Sequence, residues 1–399
     1  MQSPVTSRHY IDQEIHDREQ ARIFRKLWIF AGLKQVLTTP NAYLTRTIGD
    51  VAVVIQNMVG TLKAFENVCT HRQMAMQTEP MGNRPMVCKY HAWAFDVDGK
   101  LKNMGNEFLY ELTPEEKART CLRQFALEEI GNMLFVNLDP DPLPIEAQFT
   151  PEYIASLRES SLQYDDQFAY AVFQKKHNWK INFENILDYN HIPFIHSKSF
   201  FPYISLNVNA QAANRVLPEW TRAIKARLDE KAPIRLDELS YFTGSPISFP
   251  PTWYQKEVER FGNEDRYYSW FTYPNLNIGS VYGGMFVMQQ YMPVAPDRLE
   301  YHLWVLTAKK KKKSSNFAAL LWGMIKAEKR IIDEDSVPLE ALQAGLHAGA
   351  PSFIHGVYEA HIVRMLRWYA AHIDSDEQAI QDTPFTQKMK RHEKAHHHG

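Results

Sequence analysis

Two short stretches, each with one cysteine and one histidine, place the strongest constraint on how this chain can fold. "VCTHRQMA" (68–75) contains Cys69 and His71, and "VCKYHAWAF" (87–95) contains Cys88 and His91. The 399 residues include only three cysteines, which cannot form a disulfide framework. Two thiolates and two imidazoles on two β-hairpin loops make a four-ligand metal site. The surrounding segment is therefore expected to bring the two loops together.

The distribution of the ligands between the loops indicates the kind of metal centre. Structural zinc sites usually carry two cysteines on one hairpin, followed by paired histidines. Here each loop carries one residue of each type. In a Rieske [2Fe–2S] cluster two cysteines hold one iron and two histidines hold the other. The spacing predicts such a cluster, with structural zinc as the alternative, and Cys121 is expected to be an unrelated, buried residue.

The distribution of hydrophobic residues divides the chain into three predicted regions. Residues 17–33 have helical periodicity, so residues 1–39 are expected to form an N-terminal helical segment packed on the domain formed by residues 151–399. Residues 40–150 contain short β-rich runs separated by turns, and "DPDPLP" (139–144) indicates a linker. In residues 151–399 strands are flanked by long helices. This pattern predicts an α+β domain in which a sheet grips a helix.

A second group of polar residues lies in "NWKINFENILDYNHIPFIH" (178–196). If this stretch is helical, Asp188 and His191 share a face, His196 follows about one turn later, and Pro193 kinks the helix between the histidines. Asn185 lies three residues before Asp188. Two histidines alone do not complete a metal site.

The missing ligand is expected from a later segment. Non-haem Fe(II) sites that activate O2 use two histidines and one carboxylate, which leaves positions open. "AEKRIIDEDSVPLEALQ" (327–343) offers Asp333, Glu334 and Asp335. Pro338 follows them and is expected to end the helix there.

Composition narrows the class of protein. The net charge is −1, so no overall field favours nucleic acid or a membrane as partner. No apolar stretch reaches about 18 residues, and the N-terminus lacks the apolar core of a signal peptide. With only three cysteines, a cytoplasmic location is expected. The run 309–313 consists of lysines and predicts a solvated loop, or a docking patch for an acidic electron donor.

Together, the two groups of residues resemble those of the Rieske non-haem iron oxygenases, specifically the catalytic α subunit of ring-hydroxylating oxygenases. The segments that carry this resemblance are "CTHR…CKYHAWAFDVDGKL", "NWKINFENILDYNHIPFIH" and "GVYEAHIVRMLRWY", and it extends over nearly the whole chain. The resemblance implies a β-rich Rieske [2Fe–2S] domain inserted in a helix-grip (START-like) catalytic domain with an antiparallel sheet.

The resemblance also implies a role for individual residues. The family's third iron ligand precedes a glutamate by five positions, and Asp335 with Glu340 has that spacing, which favours Asp335 over Asp333. Asp188 matches the aspartate that bridges an iron-ligating histidine and a cluster histidine of the neighbouring subunit, and Asn185 is expected near the iron. The implied ligands are Cys69, His71, Cys88 and His91 for the cluster, and His191, His196 and Asp335 for mononuclear Fe(II).

The activity implied by the resemblance is that of a terminal oxygenase component. O2 is the co-substrate, and electrons come indirectly from NAD(P)H through a ferredoxin and/or a flavin reductase. The implied assembly is a homotrimer (α3), or α3β3 with a small β subunit. A small aromatic substrate is expected, dihydroxylated or hydroxylated in aromatic hydrocarbon catabolism, in a pocket that could include Phe183, Phe194 and Phe200.

Two other functions remain open on the sequence alone. One is a Rieske monooxygenase or demethylase acting on an aromatic ether, an N-methyl compound or a quaternary amine. The other, of a different class, is an electron-transfer protein whose iron site is inactive.

Overall fold

The computed structural model describes residues 1–200, 217–246, 258–262, 266–281, 283–309, 316–349 and 353–375. The chain forms two compact units, and Gln20–Ile145 is inserted in the unit made of Met1–Glu19 and Glu146–Gly399. This arrangement confirms the predicted α+β fold with one domain inserted in another. The lysines at 310–313 and the C-terminal histidines lie outside the described residues.

The N-terminal region departs from the prediction. Helices α1 (Arg8–Ile11) and α2 (Gln13–Glu19) are followed by one π-helical turn (Gln20–Phe24), and then by strand β1 (Ile29–Leu33). The predicted helix over 17–33 is therefore wrong in its second half. Every residue of β1 is buried, so the strand lacks the alternation that distinguishes a strand from a helix. Only residues 1–19, not 1–39, belong to the larger unit.

The inserted unit is built on antiparallel strands, as predicted. Seven strands form a sheet in the order β1-β9-β8-β4-β3-β2-β5, and β6 pairs with β7. Its further elements are β2 (Ala42–Ile48), β3 (Val51–Met58), β4 (Thr61–Glu66), β5 (Met81–Asn83), β6 (Ala94–Phe95), β7 (Leu101–Asn103), α3 (Pro114–Arg119), β8 (Gln124–Ile130) and β9 (Met133–Asn137). Cys121 is exposed, contrary to the expectation that it is buried, because it lies in the connection between α3 and β8.

The larger unit contains a six-stranded antiparallel sheet in the order β10-β15-β14-β13-β12-β11. Its strands are β10 (Tyr164–Lys175), β11 (Tyr241–Pro246), β12 (Arg266–Thr272), β13 (Leu276–Val281), β14 (Met285–Ala295) and β15 (Arg298–Ala308). Its helices are α4 (Pro151–Ser161), α5 (Trp179–Leu187), α6 (Ile192–Ile195), α7 (Glu219–Asp229), α8 (Phe317–His347) and α9 (Ala360–Ile373). Helices α5 and α8 lie against the sheet, so the sheet grips helices as expected. None of the helices in the described ranges combines the length and apolarity that crossing a bilayer requires.

Helix α8 continues through Pro338, although the sequence predicted that it would end there. A proline inside a helix removes one backbone hydrogen bond. Burial of Ile332 before the proline and of Leu339 after it anchors both halves against the protein. Asp335 therefore lies within a long rigid helix and not at a helix end.

A buried ion pair joins the N-terminal helices to α5. Glu19, the last residue of α2, and Lys180, in the first turn of α5, form a salt bridge in which both side chains are fully buried. Glu19 also accepts hydrogen bonds from Trp179 Nε1 at 2.9 Å and from the Tyr369 hydroxyl at 2.5 Å. Burial lowers the pKa of Lys180, and the carboxylate of Glu19 opposes this by stabilising its charge. The pair thus connects α2, α5 and α9.

Replacing Glu19 with alanine should destabilise the protein by about 3–5 kcal/mol, because the ammonium group of Lys180 would be left buried and unpaired. The free energy of unfolding of the holoprotein, measured in urea, tests this. A double variant, Glu19→Leu with Lys180→Met, removes both charges and should recover most of the loss. Equal destabilisation in the single and double variants would show that the pairing of charges is not what matters.

Two candidate metal centres

The two Cys–His loops of the inserted unit have the same backbone geometry. The amide of Cys69 donates to the carbonyl of Met74, and that of Cys88 to the carbonyl of Trp93, each at 2.8 Å. Four residues after each cysteine the backbone turns through the left-handed region, with φ of 59° and 53°. Left-handed residues other than glycine are uncommon and are often found at functional sites. The repeated turn presents the two loops as a matched pair.

The four predicted cluster residues are brought together. The thiols of Cys69 and Cys88 are buried, and the ring centroids of His71 and His91 lie 4.6 Å apart. Trp93 stacks on His71, with centroids 4.8 Å apart and an interplanar angle of 7°. Within the described residues, the buried Nδ1 of His91 has no hydrogen-bond partner.

This environment fits a bound cluster. Burial, and the neighbouring thiol of Cys88, raise the pKa of Cys69, so ionised sulfur at this position needs a metal to compensate for lost hydration. Burial lowers the pKa of His71 and favours its neutral form, and neutral imidazole is the form that binds a metal.

The second centre lies in the larger unit, where His191, His196 and Asp335 each offer one ligand atom within 4.8 Å of the others. Oδ1 of Asp335 lies 2.9 Å from Nε2 of His196 and 3.7 Å from Nε2 of His191. That oxygen has no hydrogen-bond partner among the described residues. Two imidazole nitrogens and a carboxylate oxygen that converge without hydrogen bonding to one another fit the donor set of a 2-His-1-carboxylate iron site.

The segment 178–196 is not one kinked helix, as the sequence had suggested. Helix α5 ends with Asp188 as its C-cap, and α6 begins with His191 as its N-cap, so these two residues do not share a helical face. Pro193 lies in the first turn of α6, where its missing N–H is harmless. The break at 188–191 places both histidines beside α8.

Glu334 and Ser199 orient His196. Oε2 of Glu334 accepts from Nδ1 of His196 at 3.0 Å and from the hydroxyl of Ser199. This bond fixes the proton on Nδ1 and leaves Nε2 free as a ligand. Burial lowers the pKa of His196, but the carboxylates of Asp335 and Glu334 outweigh burial and raise it overall. Asp333, the other candidate ligand, is instead exposed and paired with Lys329.

Asp188 lies next to the first iron-site histidine. Its Oδ2 is 3.7 Å from Nδ1 of His191, which is too long for a hydrogen bond, and its Oδ1 accepts from the amide of Asn190 at 2.7 Å. Asp188 and Asn185 both line a cavity of about 220 Å³ that also contains the three iron-site residues. The structure therefore brings every predicted iron-site residue to one cavity.

The cavity is enclosed by helices on one side and by the sheet on the other. Alternate residues of strands β11 to β14 face it, as the pleat of a strand requires. Phe200 lines the cavity, but Phe183 is buried elsewhere in the core and Phe194 is exposed. Of the three phenylalanines proposed from the sequence, only Phe200 is therefore a pocket residue.

Sequence reasoning missed two acidic residues of α8. Glu334 was weighed only as a ligand, and Glu328 was not considered at all. Glu328, Ile331 and Asp335 line the cavity at spacings of three and four residues, which places them on one helical stripe. That spacing, counted back from Asp335, is the signal that would have identified Glu328.

Comparison with known families assigns both units. Residues 158–375 match the ring-hydroxylating alpha subunit family (catalytic domain), and residues 28–108 match the Rieske [2Fe–2S] domain. The predicted pair of cofactor types, a Rieske cluster and mononuclear iron, is confirmed at the level of these domains. The match to a Rieske [2Fe–2S] domain favours the iron–sulfur cluster over structural zinc at the first centre.

The curated relatives share part of the sequence. The carnitine monooxygenase oxygenase subunit of Escherichia coli K12 is 32% identical over 191 residues, which cover 47% of this chain and 50% of that protein. The chloroplastic choline monooxygenase of Amaranthus tricolor is 29% identical, over 47% of this chain and 43% of that protein. The glycine betaine monooxygenase oxygenase subunit of Chromohalobacter salexigens is 30% identical, over 44% and 39%. The chain thus spans half or less of the length of these relatives.

Solved structures extend the similarity of fold over nearly the whole chain. The apo form of the quaternary ammonium Rieske monooxygenase CntA superposes with a TM-score of 0.67 and 18% identity, over 92% of this chain and 94% of that one. A naphthalene 1,2-dioxygenase from Rhodococcus sp. superposes with a TM-score of 0.65 and 16% identity, over 95% of each chain. The fold is therefore shared by a quaternary ammonium monooxygenase and a naphthalene dioxygenase. The family match covers more than half of the sequence, and the chain belongs to the family of ring-hydroxylating alpha subunits that carry a Rieske [2Fe–2S] domain.

Proposed function

We propose that this chain is the terminal oxygenase subunit of a Rieske monooxygenase whose substrate is a quaternary ammonium compound or a related amine. The observation that carries this proposal is the charge of the cavity beside the iron site. In the described part of its lining, Asp188 and Glu328 contribute carboxylates beyond the proposed iron ligand Asp335, and there is no lysine or arginine. Carboxylates and aromatic faces together favour a cation.

The relatives support the same choice. The curated proteins named above act on carnitine, choline and glycine betaine, all of which carry a quaternary nitrogen. The aromatic dihydroxylation expected from the sequence has no such support from these relatives. The similarity to naphthalene dioxygenase, at 16% identity, concerns the fold alone. The monooxygenase alternative is therefore the better hypothesis.

The cofactor ligands belong to the same proposal. Cys69, His71, Cys88 and His91 would hold the cluster, and His191, His196 and Asp335 would hold the mononuclear iron. When bound, the cluster supplies electrons one at a time and the iron supplies O2 activation.

The chain's own residues prepare the iron site for that chemistry. Glu334 holds the ring of His196 so that Nε2 faces Asp335. Because His191, His196 and Asp335 all line the cavity, they would hold the metal where a substrate can lie. Asp188, whose Oδ2 lies 3.7 Å from Nδ1 of His191, would act on that ring as an outer carboxylate.

The proposed reaction needs two electrons from outside the chain. Substrate, O2, NAD(P)H and a proton give the hydroxylated substrate, water and NAD(P)⁺, with a flavin reductase and/or a ferredoxin as the electron carrier. Hydroxylation at a carbon next to nitrogen would give a carbinolamine, which splits its C–N bond into an amine and an aldehyde. The α3 or α3β3 assembly expected from the resemblance stays a prediction.

The holoprotein, reduced through a ferredoxin–reductase pair, should consume O2 with a quaternary ammonium or tertiary amine compound and form a hydroxylated or C–N-cleaved product. A panel of choline, glycine betaine, carnitine, N-methylated amines, naphthalene and salicylate, followed by mass spectrometry, tests this. Dihydrodiols from the aromatic compounds, with no turnover of the ammonium compounds, would overturn the proposal.

The matched control is His191→Ala, which should keep the cluster and abolish turnover. The EPR signal of the reduced cluster, with two sulfides per chain, should remain, while iron falls from about three atoms per chain to about two. Product formation by His191→Ala would contradict the iron-site assignment. A wild-type preparation with a cluster but no mononuclear iron after reconstitution would instead favour the electron-transfer alternative.

Replacing Glu334 with alanine should lower mononuclear iron affinity or turnover by about 10- to 100-fold, because His196 loses the acceptor that fixes its tautomer. Glu334→Gln keeps an acceptor oxygen and should recover part of the loss. Asp333→Asn changes an exposed carboxylate one residue away and should behave like the wild type. Equal effects of Asp333→Asn and Glu334→Ala would argue against a role for the Glu334–His196 hydrogen bond.

The change Asp188→Asn should leave both metals bound and still reduce turnover by about 10- to 100-fold, since only an outer carboxylate beside His191 is lost. Iron and sulfide analysis, combined with single-turnover product formation, separates these effects. Unchanged turnover would remove the proposed role of Asp188.

A further inference from the structure

In the described part of the cavity lining, Glu328 is the carboxylate that has no proposed role at the iron site. It lies on α8 two turns before Asp335 and shares its face of the helix. Among the described residues, none donates a hydrogen bond to its carboxylate or forms a salt bridge with it. A carboxylate in a cavity without a partner is costly unless a cation or donor reaches it.

Burial shifts the pKa values of both Glu328 and Tyr267, which line the same cavity. Burial raises the pKa of Glu328 to about 7, and proximity to His196 only partly opposes this. Burial also raises the pKa of the Tyr267 phenol, and the charge of Glu328 raises it further. Glu328, His196 and Tyr267 line the same cavity, so the carboxylate and the tyrosine ring are presented to one ligand space.

Aromatic rings line the same cavity as the carboxylate. The rings of Phe200 and Tyr267 meet edge to face with centroids 5.5 Å apart, and Phe200 lies 6.4 Å from the ring of His196. Gly279 leaves room for the Tyr267 hydroxyl, since a Cβ at that position would lie 2.4 Å from it. Aromatic faces combined with an anionic group are the usual means of binding a quaternary ammonium ion.

We propose that Glu328 is the specificity-determining residue that supplies the counter-charge to the substrate's ammonium group. This inference rests on the proposed function. It further implies that the substrate is a net cation without a carboxylate of its own, such as a choline-like alcohol or a simple alkylammonium ion. The described part of the cavity lining contains no lysine or arginine that would form an ion pair with the carboxylate of a betaine.

The test compares charged and neutral ligands that have the same shape. Choline and its carbon isostere 3,3-dimethylbutan-1-ol differ in charge but hardly in volume, and tetramethylammonium serves as a simple cation probe. Dissociation constants are measured by calorimetry on the wild-type holoprotein and on Glu328→Gln. The wild type should prefer choline over the isostere, and Glu328→Gln should weaken binding of choline and tetramethylammonium by about 10- to 100-fold while the isostere changes little.

Matched variants separate charge from structure. Glu328→Asp should retain part of the preference for cations. Glu159→Gln removes an exposed glutamate of α4 in the same unit and should change no affinity. Cluster EPR and iron content should be unchanged in all three variants, so that a loss of binding reports the charge of the cavity.

Three results would overturn the inference. One is equal affinity of the wild type and Glu328→Gln for tetramethylammonium. The second is an equal loss for choline and its isostere, which would indicate a structural or proton-transfer role of Glu328. The third is tighter wild-type binding of glycine betaine than of choline, which would overturn the preference for a net cation. Failure of the proposed function is a separate observation, because it appears as lack of turnover with every ammonium compound and does not depend on these affinities.

Discussion

The burial of a charged pair, Glu19 with Lys180, is the constraint on which the catalytic unit depends. Neither side chain is exposed, so the carboxylate must satisfy its lone pairs entirely within the protein. It does so through Trp179 and Tyr369 as well as Lys180, which ties the N-terminal helices and α9 to the start of α5. A buried pair of this kind fixes a geometry more than it adds stability. Here it fixes the position of the first turn of α5, the helix that precedes the two proposed iron-site histidines.

Helices α5 and α8 then position the residues of the proposed iron site. The segment after α5 supplies both histidines, and the middle of α8 supplies the carboxylate. Because α5 and α8 both lie against the same sheet, their separation is set by the packing of the sheet and not by flexible loops. A metal site needs its ligands held within a few tenths of an ångström, and rigid elements provide this better than loops do. Because α8 continues through Pro338, Asp335 is held within a helix and not at a helix end.

The sequence was informative wherever chemistry requires a fixed local spacing. The four proposed cluster residues and the two proposed iron-site histidines could be selected because two short loops and one short segment contain them. The path of the backbone was harder to predict: the break at 188–191 and the buried strand β1 both depend on tertiary packing that leaves no periodic trace. Glu328 was missed because a glutamate on a long helix is normally solvated, and only the fold turns that side of α8 inwards.

Different residues of α8 have different proposed roles, and this suggests how one fold can serve different substrates. Asp335, the proposed iron ligand, and Glu334, which accepts a hydrogen bond from His196, concern the metal. Glu328, two turns earlier, lines the same cavity but is not one of the proposed metal ligands, so we expect that it can vary without loss of the iron site. On the proposed function, the cavity wall selects the charge of the substrate, and the metal site supplies the activation of O2. This separation accounts for a fold shared with both amine and aromatic oxygenases, and it makes the charge of the wall a better guide to the substrate than the fold.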